Sequence, residues 1–345
     1  MSINLSKSLA AIGPDRLAAR LDALSGRTVK TISLPGGNQR NVLRVTFHDG
    51  PSWILIKRDK DYREARERQV LDVLAAIQTK RVPRVLGVLG EWTIISDLGK
   101  NRLTHHIQRT AAADRWQVVE NTAREILAFQ DAANACPDIA SLPPVLLSED
   151  ELLHIATGPE RTCARYKLDL PVPVPDSLLP WIGAPTPRFI KGDCRAANIV
   201  MDDDGVLGWI DFEYAGLRHG SEDLAWLLCD ETLAVPLDGR LDAVDALIRE
   251  ARPDDPESYL KSFCINATLH AGMRLRVIHN ELRKGAWLDY GNIIKDDLVG
   301  VHPELTMRLA RKAGLLADQY PETRALVDIY AAIGEMVEQA RTAPG

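Results

Sequence analysis

Residues 191–200 read KGDCRAANIV, and residues 208–213 read GWIDFE. Asp193 and Asn198 are five positions apart, in a polar stretch that runs into a short apolar segment. Asp211 closes the next apolar segment, 18 positions after Asp193. Asp and Asn are ordinary turn residues, so an isolated Asp-x-x-x-x-Asn says little. The second Asp at this distance makes the arrangement far more specific.

Three oxygen-bearing side chains in this order are the groups that phosphoryl transfer needs. One Asp accepts or orients the proton of the attacking hydroxyl, while an Asn and another Asp hold magnesium on the nucleotide phosphates. Each residue also has a structural interpretation, because Asp193 and Asp211 can cap local backbone and Asn198 can form an Asx-turn. We expect the chemical interpretation to hold, since all three groups occur together at this spacing.

The bulk composition is that of an ordinary globular protein. The chain has 345 residues, 46% hydrophobic and 26% charged, which is enough for two domains or two lobes. A net charge of −6 argues against nucleic acid as a partner. Five scattered cysteines without a C-x-x-C pair argue against a disulfide framework or a thiolate zinc site. No signal-peptide core or membrane-length apolar run is visible, so we expect no membrane association and a cytoplasmic location.

Hydrophobic periodicity predicts a β-rich first third and a helical remainder. A short helix at 14–24 precedes five strands, at 28–34, 42–47, 53–57, 84–89 and 92–95, with a helix over 62–77 inserted. Further helices are predicted at 114–134, 222–228, 241–250, 257–282, 304–316 and 322–340, and short strands at 199–201 and 207–210. Residues 136–187 are proline-rich, and we predict an irregular insertion there with one helix near 149–155.

This order of elements predicts an α+β fold with two lobes. We place a β-rich, nucleotide-binding lobe at 1–97 and a helical lobe with the catalytic loop and the acceptor site at 98–345.

Four further features could serve a nucleotide. Lys57 ends the third strand and could bind the α- and β-phosphates, fixed by Glu64 or Glu67 on the next helix, although lysines often snorkel at strand ends. Arg195 could reach the transferred phosphoryl group or simply be a surface arginine. The remaining two are loops: Gly36, Gly37 and Asn38 could cradle phosphates or form a plain hairpin turn, and the backbone of residues 96–99 could pair with adenine.

At this point the chain resembles the aminoglycoside phosphotransferase and choline kinase superfamily, the small-molecule branch of the protein-kinase-like fold. The segments that carry the resemblance are 67–74, 82–87, 94–99, 192–199, 210–216 and 221–225. The resemblance implies a two-lobed kinase-like fold, Mg²⁺ as cofactor, ATP or GTP as phosphoryl donor, and a small-molecule alcohol as acceptor. The residue roles that it implies are Asp193 as catalytic base, Asn198 and Asp211 as magnesium ligands, Lys57 with Glu67 as phosphate clamp, and the backbones of Ser96 and Leu98 as adenine contacts.

Two positions depart from the family pattern, which usually has His where Lys191 stands and His near Gln130. We expect Lys191 to alter packing beneath the loop rather than the chemistry. A catalytically inactive nucleotide-binding regulator of the same fold is the alternative. A kinase acting on protein is disfavoured, because no Ala-Pro-Glu segment and no long activation loop follow Asp211.

The sequence leaves the acceptor open. Aminoglycosides, choline, ethanolamine or a sugar-like alcohol would suit the family. Five cationic side chains on one predicted helix would instead favour an anionic acceptor, unless they form a solvated face: Arg274, Arg276, His279, Arg283 and Lys284.

Overall fold

The computed structural model describes residues 13–35, 41–58, 61–77 and 81–342. Gly36, Gly37 and Asn38 of the predicted phosphate loop lie outside the described residues. The chain forms two compact units, of which the first comprises residues 1–100 with 200–213 and the second residues 101–199 with 214–345. We expected a single division at residue 97. In the structure, residues 200–213, which include Asp211, group with the first unit.

The first unit is built on a five-stranded antiparallel sheet, as the sequence predicted. Its elements are α1 (Pro14–Ser25), β1 (Val29–Ser33), β2 (Val42–Phe47), β3 (Trp53–Ile56), α2 (Asp61–Leu74), β4 (Val85–Leu89) and β5 (Trp92–Ser96). The strands lie in the order β1-β2-β3-β5-β4. One sheet face, with Leu43, Val45 and Leu55, packs against Leu17 and Leu21 of α1.

The second unit is mainly helical. Its elements are α3 (Leu103–Arg109), α4 (Arg115–Asn134), α5 (Glu149–Ala156), α6 (Gly158–Tyr166), α7 (Pro175–Ile182), β6 (Arg188–Ile190), β9 (Gly216–Arg218), α8 (Glu222–Leu228), α9 (Leu241–Ala251), α10 (Pro256–Leu282), α11 (Tyr290–Asp296), α12 (Pro303–Ala317) and α13 (Leu326–Thr342). Between β6 and β9 the chain forms β7 (Ile199–Met201) and β8 (Leu207–Trp209), which pair in a two-stranded sheet. Strands β6 and β9 also pair.

The prediction of an irregular insertion at 136–187 was wrong in part, because this segment holds three helices, α5 to α7. Two of the prolines that suggested irregularity, Pro159 and Pro175, occupy the first turns of α6 and α7. Proline is tolerated there, since the first helical N–H groups have no intrahelical acceptor. The Tyr166 hydroxyl at the end of α6 donates to the Leu275 carbonyl and so ties the insertion to α10. Within the described residues no helix is both long and apolar enough to cross a membrane.

Candidate active site

The Asp193 turn of the second unit is held in an uncommon backbone conformation. Asp193 has φ 37° and the preceding Gly192 has φ 65°. A Cβ atom at Gly192 would lie only 2.6 Å from the carbonyl oxygen of Tyr214. Glycine is therefore required at 192, both for its positive φ and for this close backbone approach.

The Asp193 carboxylate is contacted by two side chains that the sequence placed beside it. Its Oδ1 accepts from Nε of Arg195 at 2.8 Å, and its Oδ2 accepts from Nδ2 of Asn198 at 2.9 Å. The same Asn198 nitrogen also donates to the Asp193 carbonyl at 3.0 Å. The structure thus brings Asp193, Arg195 and Asn198 together, with Asp193 only 8% exposed.

The electrostatic surroundings favour the ionised form of Asp193. Burial by itself would raise the pKa of this carboxyl, but the positive charges of Arg195, Lys191 and Arg274 and the hydrogen bond from Arg195 bring it below its ordinary value. A charged acceptor atom is therefore present at neutral pH. Arg195 is itself fixed, because its Nη1 also donates to Asp297 at 3.3 Å.

A buried carboxylate braces this turn from beneath. Asp223 accepts from the backbone N–H groups of Lys191 and Gly192, both at 2.8 Å, and from the Gln130 amide at 2.9 Å. These bonds give Asp223 a bracing role beneath the turn. Gln130 donates to Asp223 and so helps to hold this carboxylate beneath the turn. The family usually has a histidine near this position.

Lys191 also supports the turn. Its side chain is completely buried, and its Nζ donates to the carbonyl oxygens of Gly192 and Asp193 at 3.2 and 3.1 Å. The lysine therefore binds the backbone on which Asp193 stands, in agreement with the expected role in packing beneath the loop.

In the first unit, Asp211 belongs to a network centred on Arg58. The Arg58 guanidinium binds Glu67 through two hydrogen bonds of 2.6 and 2.7 Å, and its Nη2 donates to Asp211 Oδ1 at 2.9 Å. Glu67 also accepts from the backbone N–H of Phe212 at 3.1 Å. Burial would lower the pKa of Arg58, but the surrounding carboxylates raise it, so the guanidinium stays charged. Asp211, like Asp193, has a positive φ, 67°.

The predicted ion pair between Lys57 and Glu67 is therefore wrong, because each residue has a different partner. Lys57 Nζ binds Glu91 at 2.7 Å, while Glu67 binds Arg58. The reason is strand alternation: Lys57 continues the β3 ladder through its N–H bond to the Asn41 carbonyl, so neighbouring side chains point to opposite faces.

Leu55 faces α1 in the sheet core, and Lys57 shares its side of the strand. Arg58 lies on the other face with Glu67. Sequence reasoning missed Arg58 because it chose the first cation of a Lys-Arg pair. Steps of two from Leu55 place Lys57 on the α1 face and leave Arg58 for the face of Glu67, but only the structure shows that Leu55 faces α1.

The segment after β5 is held by a charged pair that the sequence did not reveal. Arg44 binds Asp97 through bonds of 2.6 and 2.9 Å, and Ser52 donates to the same carboxylate at 2.6 Å. Ser96 gives its backbone N–H to the Arg84 carbonyl at 2.9 Å. Of the two residues predicted to contact adenine, Ser96 thus has its N–H engaged within the protein.

The predicted magnesium ligands have suitable chemistry. Mg²⁺ prefers oxygen ligands and usually takes one or two from protein side chains, with the rest from phosphates and water. Asp211 offers a carboxylate. Asn198 turns its amide nitrogen toward Asp193, which directs its amide oxygen away from that residue. Both residues therefore fit an ion of this kind.

Comparison with known proteins gives a family and a set of similar folds. Residues 30–259 match the sequence model of the family described as "Phosphotransferase enzyme family". No curated protein sequence matches the chain. Among solved structures, the GDP complex of wild-type aminoglycoside 2'-phosphotransferase-IIIa is 14% identical, with a TM-score of 0.52, over 81% of this chain and 97% of that one. The gentamicin complex of APH(2")-IIa is also 14% identical, with a TM-score of 0.52, over 88% of this chain and 97% of that one. At these identities the likeness shows a shared fold.

Proposed function

We propose, since this chain belongs to the phosphotransferase enzyme family, that it transfers the γ-phosphoryl group of ATP or GTP to a hydroxyl group of a small molecule, with Mg²⁺ as cofactor. The contact of 2.9 Å between Asn198 and the Asp193 carboxylate carries this proposal. This contact joins a candidate proton acceptor to a candidate metal ligand, and the two residues stand in the order along the chain that is typical of kinase-type phosphoryl transfer.

The reaction exchanges one phosphorus–oxygen bond for another. The acceptor oxygen forms a bond to the γ-phosphorus, and the bond between that phosphorus and the β–γ bridging oxygen breaks. The acceptor proton passes to the ionised carboxylate of Asp193, which Arg195 and Asn198 hold in place. Magnesium, held by Asn198 and Asp211 when bound, supplies charge neutralisation on the phosphates.

The first unit supplies the nucleotide groups in this proposal. Arg58 takes the place that we had assigned to Lys57 as the partner of Glu67, and its contact with Asp211 joins the cation to the metal ligand. Lys57 remains a second cation at the end of the same strand. The backbone of Leu98 and the loop of Gly36, Gly37 and Asn38 stay predicted nucleotide contacts.

The printed names of the similar structures are in keeping with this function. One of those proteins was solved with GDP and the other with gentamicin. Extended to this chain, they support a nucleoside triphosphate donor and a small hydroxylated acceptor. The second unit, with the Asp193 turn, is where we place the acceptor.

Lys191 had motivated the inactive alternative. Its Nζ binds the backbone carbonyls of Gly192 and Asp193 and leaves the carboxylate with Arg195 and Asn198. Lys191, in place of the usual histidine, supports the turn through these backbone carbonyls. This favours an active enzyme over a regulator.

A turnover assay with paired variants tests the function. The full chain is incubated with ATP or GTP and a panel of small alcohols, with magnesium or with a chelator, and nucleoside diphosphate release is measured. Asp211→Asn removes one proposed metal ligand, whereas the control Asp203→Asn changes an exposed Asp in the turn between β7 and β8.

We expect magnesium-dependent turnover that falls by about 100-fold or more in Asp211→Asn and is unchanged in Asp203→Asn. Turnover that survives chelation, or that Asp211→Asn leaves intact, contradicts the proposed roles. Magnesium-dependent nucleotide binding without phosphoryl transfer to any alcohol contradicts the enzyme and supports the regulator.

A further inference from the structure

The second unit contains a cavity of about 390 Å³. Side chains of α5, α6, α8 and α10 line it, together with Arg218 at the end of β9. A cavity of this size lies in the range of small-molecule sites. Its apolar wall includes Trp226, Leu269 and Met273, so a ligand with an apolar body would bury surface there.

Two arginines converge at one end of this cavity. A Cβ atom at Gly158 would lie 3.6 Å from Nη1 of Arg276 and 3.8 Å from Nη2 of Arg161. Arg276 donates to the Gly158 carbonyl at 2.9 Å and to Thr162 Oγ1 at 2.7 Å, and Arg161 donates to Thr157 Oγ1 at 3.0 Å. All of these acceptors are neutral.

Neither guanidinium makes an ion pair with a carboxylate of the described residues. Burial lowers the pKa of Arg276, and the charges of Arg161 and Arg165 lower it further. Burial is also the main cause that lowers the pKa of Arg161. Two half-buried arginines without an ion-paired carboxylate are expected where an anion binds.

The other charges around the cavity leave this excess in place. Arg218 and Glu222 are buried and form an ion pair of 2.8 Å, so they neutralise each other. Asp150 and Glu151 are exposed, and Glu151 accepts from the Ser148 N–H and hydroxyl as part of a capping box. Glu160, whose charge raises the pKa of Arg161, is also exposed, so Arg161 and Arg276 carry positive charge that no ion pair neutralises.

His270 gives the cavity a neutral polar group. Its Nε2 atom is buried without a hydrogen-bond partner, and its ring packs on Trp226 at a centroid distance of 4.2 Å. Burial lowers the pKa of His270 to about 3, so the ring is uncharged at neutral pH. Helix α8 connects the cavity with the Asp193 turn, because its Trp226 lines the cavity and its Asp223 binds the backbone N–H groups of Lys191 and Gly192.

We propose that the acceptor is an amphipathic hydroxy compound with an anionic group, a carboxylate or a phosphate ester, which Arg161 and Arg276 bind. Its apolar body packs on Trp226, Leu269 and Met273. Its hydroxyl lies on the His270 side of the cavity and points toward Asp193. This inference rests on the proposed phosphotransferase function and names the substrate class for it. A polycationic acceptor would meet uncompensated repulsion at the arginine end.

Binding of a matched set of probes tests the substrate class without requiring turnover. Titration calorimetry on the full chain compares 8-hydroxyoctanoate, 8-hydroxyoctyl phosphate, octane-1,8-diol and 8-aminooctan-1-ol. These probes share a chain length and a hydroxyl and differ in the other end group. The variants are Arg276→Gln and Arg161→Gln, with Arg283→Gln as control, since Arg283 is exposed at the end of α10.

We expect at least one anionic probe to bind about tenfold more tightly than the diol and the amino alcohol. The two anionic arms decide between a carboxylate and a phosphate. Arg276→Gln and Arg161→Gln should each remove about tenfold of this preference, and Arg283→Gln should leave it unchanged. Equal affinity for all probes, tighter binding of the amino alcohol, or a preference that survives both substitutions overturns the proposal.

A turnover measurement separates this inference from the function on which it rests. If anionic probes bind through Arg161 and Arg276 but are not phosphorylated with ATP or GTP, the cavity assignment stands and the phosphotransferase proposal fails for these compounds. If cationic alcohols are phosphorylated instead, the function stands and the anionic substrate class is wrong.

Discussion

The Asp193 and Asp211 turns each hold a carboxylate in place, but the contacts that hold it differ. Each presents a carboxylate from a residue with positive φ, and each carboxylate contacts an arginine. At Asp193 the arginine comes from two residues further along the chain, and a buried carboxylate beneath the turn binds its backbone. At Asp211 the arginine comes from the end of a distant strand and is shared with Glu67.

The difference suits the two proposed roles. A proton acceptor must keep one orientation through the reaction, and backbone bonds to Asp223 and Lys191 provide this. A metal ligand must exchange partners as the nucleotide enters and leaves. Arg58 donates to Asp211 Oδ1 at 2.9 Å, and a cation bound at this carboxylate would compete with that hydrogen bond.

The largest expected effect is on the support beneath Asp193. Asp223→Ala leaves the buried N–H groups of Lys191 and Gly192 without their acceptor, which should lower the free energy of unfolding by about 3 kcal/mol. Denaturant unfolding measures this change. Asp242→Ala, an exposed Asp in the first turn of α9, is the control and should cost less than about 1 kcal/mol. Equal effects of the two substitutions would show that Asp223 does not brace the turn.

The next effect concerns the close approach at Gly192. Gly192→Ala introduces a Cβ beside the Tyr214 carbonyl at a positive φ, and should destabilise the fold by about 2 kcal/mol. Gly205→Ala is matched in φ, at 80°, but its Cβ would have open space. We expect it to cost about 1 kcal/mol. Unfolding measurements that rank the two variants in reverse order would rule out the steric argument.

On the Asp211 side, the two neighbouring cations at the end of β3 should differ. Arg58→Ala removes the partner of Glu67 and Asp211, and should weaken binding of the magnesium nucleotide about tenfold. Lys57→Ala, whose partner Glu91 is exposed, should change it by less than about threefold. Nucleotide titrations of both variants give the comparison. A larger loss in Lys57→Ala would restore lysine as the principal phosphate cation.

The last prediction concerns another buried lysine of the second unit, Lys312. Burial lowers the pKa of Lys312 to about 8, from an ordinary value of 10.5. Between these values the unfolded chain binds a proton that the folded chain has released, so stability should rise with pH, by up to roughly 1 kcal/mol per pH unit. Unfolding of Lys312→Met from pH 8 to 10 should lack this rise. Lys284→Met, an exposed control, should keep it, and a rise retained in Lys312→Met would contradict the lowered pKa.

The two turns also show what a sequence can predict. Asp193, Arg195 and Asn198 lie within six consecutive residues, so their spacing indicated one shared loop, and the structure adds the contacts between their side chains. The five-stranded sheet followed equally well from its alternating pattern and its turn signals. Local patterns determine these features.

The Asp211 network was harder, because Arg58 and Asp211 are 153 positions apart. Only the face of β3 decides whether Lys57 or Arg58 meets Glu67, and that face depends on packing against α1. The buried pair of Arg44 and Asp97 gave no signal for the same reason. In residues 136–187, proline content predicted an irregular segment, but Pro159 and Pro175 lie in the first turns of helices. The cavity arginines come from separate helices, and only their tertiary packing brings them together.

The most direct test of the central claim is Asp193→Asn, with magnesium–nucleotide affinity and phosphoryl-transfer turnover measured on the same preparation. Asparagine keeps the shape of the side chain but cannot accept the acceptor proton as a carboxylate does. We predict that turnover falls by about 100-fold or more, while nucleotide affinity stays within about twofold of the unaltered protein. Unchanged turnover, or loss of nucleotide binding in parallel with turnover, would contradict the assignment of Asp193 as the proton acceptor.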